Sequence, residues 1–126
     1  MVQVDISQLS GECNTWRESL RQQREEFTRD KTILQQTASR TLSKEQLQDV
    51  EHFHNQFHIQ LINIHDLKQA IKLHDRKLQV ERTTQQDQLN EDTVASHEGL
   101  FDQYQTLEHT LQDLRDEFNQ FLSRTR

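Results

Sequence analysis

Not one proline interrupts this chain of 126 residues, and glycine stands only at positions 11 and 99. Sheets and tight turns lean on both residue types, glycine for backbone angles that other residues avoid and proline to stop regular structure. Their scarcity points to long helices joined by short connections. The apolar residues agree, because in three stretches they recur at alternating intervals of three and four and so fall on one side of an α-helix.

The first stretch spans about residues 6–40. Ile6, Leu9, Cys13, Trp16, Leu20, Phe27 and Leu34 make its seam, and polar Gln23 and Asp30 occupy two further seam positions. Gly11 costs about 1 kcal/mol of helix propensity relative to alanine, which allows a start just beyond it. Trp16 anchors this end of the core, and Cys13 is expected as a small buried hydrophobe. The connection Thr37 to Leu42 is so short that the next helix must run back antiparallel beside the first.

The second stretch, about 44–82, opens with a capping box. Ser43 accepts from the Gln46 backbone N–H, the Gln46 side chain reaches back, and Leu42 staples onto Leu47. Its seam is Leu47, Val50, Phe57, Leu61, Ile64, Ile71 and Leu78. Folding about the short connection sets Asp30 level with His54, Gln23 with Gln60 and Trp16 with Lys68. Glu81 to Gln88 carries no seam residue and reads as a wetted helix end and loop.

The third stretch, about 92–124, has the cleanest seam: Leu100, Tyr104, Leu107, Leu111, Leu114, Phe118 and Phe121, with His97 one step earlier. Glu91 and Asp92 suit the positive end of the helix dipole, and Arg124 and Arg126 the negative end. A second and third helix merged through Thr83 to Asp92 is the alternative, and it forces two chains to swap.

The expected fold is therefore all-α, one domain over residues 1–126, an elongated antiparallel three-helix bundle of coiled-coil character that assembles as a dimer. Each helix is about 50–60 Å long. In architecture alone such a rod resembles the three-helix coiled coils of spectrin-like repeats. A hydrophobic fraction of 31% against 29% charged residues fits narrow seams better than a compact globule.

A net charge of −6 leaves no basic footprint for nucleic acid or anionic lipid. No apolar run reaches the roughly 18 residues of a membrane span, and Met1 to Asp5 lacks the pattern of a secretory leader. One cysteine fits a reducing compartment. The expected protein is cytoplasmic, with neither nucleic-acid nor membrane partners.

Ile59, Ile62, Leu73 and Val80 lie outside the seam of the second helix, on a second apolar stripe. A narrow bundle leaves the back of one helix uncovered, so a stripe there is expected to meet a second copy in a two-fold antiparallel dimer. The same helix carries His52, His54, His58, His65 and His74, five of the chain's seven histidines. His54 and His58 are four apart, which allows two imidazoles to share a metal, and Glu51 completes a Glu-x-x-His pattern. Asp30 from the first helix is the one further ligand at the right height.

Two functions follow. The first is a non-catalytic scaffold or adaptor with no cofactor, a homodimer that also meets another protein. The second is a zinc or iron protein using Asp30, Glu51, His54 and His58. No phosphate loop, nucleophile elbow or Cys-His pair with an identifiable base marks an enzyme.

Overall fold

The computed structural model describes residues 5–40, 42–84 and 89–125. Among them are three α-helices and no strand: α1 (Ile6–Ala38), α2 (Lys44–Thr84) and α3 (Glu91–Thr125). Met1 to Val4 and Gln85 to Gln88, the middle of the expected second loop, lie outside the described residues.

Each start has its own cap. Asp5 accepts from the Gln8 backbone N–H at 2.7 Å, and this cap starts α1 ahead of Gly11 rather than after it. At α2 the capping box forms in both directions, Gln46 N–H to Ser43 Oγ at 3.1 Å and Ser43 N–H to Gln46 Oε1 at 2.9 Å. Leu47, expected in the seam, is half exposed instead. Asn90 caps α3, its Oδ1 accepting from the Asp92 N–H at 2.9 Å.

The helices pack up, down and up. Phe27 meets Phe57 with ring centroids 5.6 Å apart while Ser10 Oγ donates to Asp75 at 2.7 Å, so α1 and α2 are antiparallel. Phe57 meets Phe118 at 4.9 Å while His74 meets His97 at 3.0 Å, so α2 and α3 are antiparallel within one chain. One polypeptide therefore closes the bundle without swapping. Phe27, Phe53, Phe57, Phe118 and Phe121 fill the core nearest the first turn. Trp16 lies toward the other end and turns to α3, with Phe101 and Tyr104 each 5.8 Å away, rather than facing Lys68. No described helix is long and apolar enough to cross a membrane.

The seams expected for α1 and α3 are the inward lines. In α2 the expected Phe57, Ile64, Ile71 and Leu78 point inward, but in place of Leu47, Val50 and Leu61 the full line also takes in Phe53, Gln60, Leu67, His74 and Glu81. Together the inward positions keep an unbroken alternation of four and three, so α2 obeys the heptad rule, but three of its core positions are polar. Leu61 falls beside this line, partly buried, and Glu81 is a core residue rather than part of a wetted end.

Asp30 is buried among the helices, and Arg115 of α3 answers it. Arg115 Nε donates to Asp30 Oδ2 at 3.3 Å and Arg115 Nη1 to Glu26 Oε2 at 2.6 Å. Burial lifts the Asp30 carboxyl above the usual carboxylate range, and Arg115 pulls it partly back. Desolvation and attraction nearly offset each other in such a pair. Asp30→Asn is expected to change the unfolding free energy at pH 7 by less than about 1 kcal/mol, since Arg115 keeps Glu26. Arg115→Met, which strands a buried carboxylate, is expected to cost about 1–3 kcal/mol in urea unfolding.

Candidate functional site

One layer of the core brings a thiol and two imidazoles together. Cys13 comes from α1, His74 from α2 and His97 from α3, each from an inward position and each buried. Their donor atoms, Sγ and one ring nitrogen each, all lie within 4.8 Å of one another, the one such group among the described residues. His74 Nε2 is 3.0 Å from His97 Nδ1, and His97 Nε2 is 3.3 Å from Glu12 Oε2. Glu12 is acceptor-only when ionised, so it holds the His97 proton on Nε2 and leaves Nδ1 as an acceptor. His74 then donates from Nε2.

The surroundings disfavour charge on Cys13 and on His74. Burial pushes the Cys13 thiol up to about 12, with the Asp75 carboxylate adding to the effect. Burial also lowers His74, helped by the neighbouring His97 and Lys77. The Trp16 ring covers His97 at 4.8 Å. Ser10, Asp75 and Gln79 close the α1–α2 side through hydrogen bonds of 2.7 and 3.1 Å. On the α1–α3 side an open cleft of about 350 Å³ reaches the layer at His97, with Glu12, Glu98, Trp16 and Phe101 also among its lining residues. A thiol that holds its proton this firmly is a poor nucleophile until something displaces that proton.

The set Asp30, Glu51, His54 and His58 does not converge. Asp30 turns to Arg115, while Glu51, His54 and His58 are exposed on α2. The cause is the phase of α2: with Phe53, Phe57 and Gln60 pointing inward, positions 51, 54 and 58 turn out of the core. His65 is exposed as well. His74, grouped with these histidines in the sequence, is the one that enters the core. The heptad counted from Phe57 through Ile64, Ile71 and Leu78 places it there, midway between Ile71 and Leu78.

The outer face of α2 carries the second stripe. Ile59, Ile62, Leu73 and Val80 are 45%, 47%, 62% and 58% exposed. Asp66 and Arg76 belong to the same outward positions and are exposed, and neither is taken up in an ion pair with a described residue. Comparison with protein-family models, with curated proteins and with solved structures returned no match.

The burial of His74 has a pH signature. The unfolded chain takes up a proton near the ordinary imidazole value of about 6.5, whereas the folded protein resists it until lower pH. This part of the stability is intact above about pH 6.5 and is lost as pH falls toward the lowered folded value. The urea midpoint is expected to drop between pH 7.5 and pH 5.5, and His74→Gln to lessen that drop. An equal drop in the variant assigns it to other groups.

Proposed function

We propose that this chain is a non-catalytic interaction module that self-associates along the outer face of α2 and serves as a scaffold or adaptor for other proteins. The observation that carries the reading is the symmetry of the exposed stripe. With a second α2 laid antiparallel about Ile71, Ile62 faces Val80, Asp66 faces Arg76, Gln69 faces Leu73 and Ile59 faces Thr83, and two-fold symmetry supplies each pairing twice. Aliphatic groups meet aliphatic groups at Ile62 and Val80, and the Asp66 carboxylate meets the Arg76 guanidinium. The overlap from Ile59 to Thr83 is about 36 Å long.

A bundle whose inner seams are narrow gains apolar burial by doubling, since each aliphatic side chain removed from water contributes about 1.5–3 kcal/mol when fully covered.

Sedimentation or light scattering on the purified chain is expected to give a dimer at pH 8. Asp66→Arg, which opposes Arg76 with another arginine at two symmetric points, is expected to weaken it about tenfold or more. The charge-swapped pair Asp66→Arg with Arg76→Asp is expected to restore it. A monomer at high concentration, or a double variant no better than the single one, sinks this register.

A further inference from the structure

We propose that Cys13, His74 and His97 form a binding site for a divalent late transition ion of the zinc class, held at the centre of the bundle by one side chain from each helix. The geometry is close to what such an ion requires. Zinc binds sulfur at about 2.3 Å and imidazole nitrogen at about 2.0–2.1 Å, so ligand atoms around a tetrahedral ion lie about 3.3–3.7 Å apart. The three donors here already sit within 4.8 Å of one another, and the two nitrogens are 3.0 Å apart. The widest gap has to close by about 1 Å, and the nitrogen pair has to open by a few tenths.

The donor set is selective. One sulfur and two imidazole nitrogens suit zinc and its neighbours and exclude magnesium and calcium, which take oxygen. Three protein ligands leave a fourth position for water. A fixed orientation is also in place, because Glu12 holds the far nitrogen of His97, the carboxylate–histidine arrangement that aligns imidazoles on metals. The cleft beside His97, with Glu12 and Glu98 among its lining residues, brings two carboxylates to that edge of the layer, where they draw cations close.

Loading the site requires two proton movements. The Cys13 thiol proton leaves to solvent as the metal–sulfur bond forms. The His74 proton passes from Nε2 to Nδ1, so that Nε2 can face the ion that replaces the His74–His97 hydrogen bond. The layer therefore exchanges one hydrogen bond for three metal bonds, with no oxidant or other reactant.

Cobalt is a visible stand-in for zinc and makes the test direct. Tag-free protein titrated with Co²⁺ at pH 7.5 is expected to show a stoichiometric thiolate-to-cobalt charge-transfer band and tetrahedral visible bands, both displaced by Zn²⁺. Fluorescence of Trp16, the chain's single tryptophan, is expected to be quenched in step, since its ring lies against His97. Cys13→Ser, its helicity checked by circular dichroism, is expected to lose the charge-transfer band. Glu12→Gln, at a partly exposed position that does not endanger folding, is expected to bind about 10–100-fold more weakly. The exposed His54 and His58 are the competing surface site, and His54→Ala with His58→Ala is expected to leave the spectrum unchanged. Wild-type protein without the thiolate band, or cobalt binding that disappears with His54 and His58 but survives Cys13→Ser, overturns the proposal.

Discussion

The inward line of α2 is the constraint on which the bundle depends. It faces α1 on one side and α3 on the other, so its phase decides which residues of all three helices meet. A rotation of α2 by one position, about 100°, would carry Ile64 and Ile71 off the core axis and bring Asn63 and Ala70 toward it. The phase is held at the first turn by the interlocked aromatic rings of Phe27, Phe53, Phe57, Phe118 and Phe121, which leave little freedom for such a rotation. Edge-on ring contacts of this kind add about 0.5–1.5 kcal/mol each beyond the area they bury.

Polar side chains then distinguish one register from its neighbours. Asn63 donates to Gln60 within α2, Thr93 donates to Glu81 between α2 and α3, and Arg115 spans from α3 to the acidic pair Glu26 and Asp30 on α1. The Asn63–Gln60 bond moves with its helix, but a shift of one helix by a turn would strip buried Glu81, Thr93 and Asp30 of their partners, at a cost of about 1–3 kcal/mol each. Apolar contacts alone are more forgiving of such a slip, because leucines and phenylalanines a heptad apart are nearly equivalent. The greasy positions make the bundle, and the polar ones select its alignment.

This division explains what could be read without coordinates. The seams of α1 and α3 were legible because nearly every inward position is apolar, and the capping box at Ser43 was legible because it is local, whereas the Asp5 cap was not read from the sequence. In α2, Leu47 and Leu61 drew the seam toward one flank, while the inward Gln60, His74 and Glu81 carry no hydrophobic signal. The meeting of Cys13, His74 and His97 was hidden for a further reason. It joins positions 61 and 23 residues apart along the chain, and an error of one position in α2 turns the imidazole away from the thiol. The symmetry of the outward stripe, by contrast, lies wholly within one helix, where spacing alone fixes it.

The two ends of the rod are built of different materials. Near the first turn the centre is a dry aromatic cluster, whereas toward the second connection it holds an imidazole pair, a thiol, a threonine and a glutamate with one carboxylate oxygen lacking a partner. Backbone amides beside the phenylalanines should exchange with solvent only in global unfolding, while those around His74 and Thr93 can exchange through smaller, cheaper openings. The rod is thus chemically polarised, with an aromatic anchor at one end and, at the other, polar side chains set among Ile6, Leu9, Trp16 and Leu78.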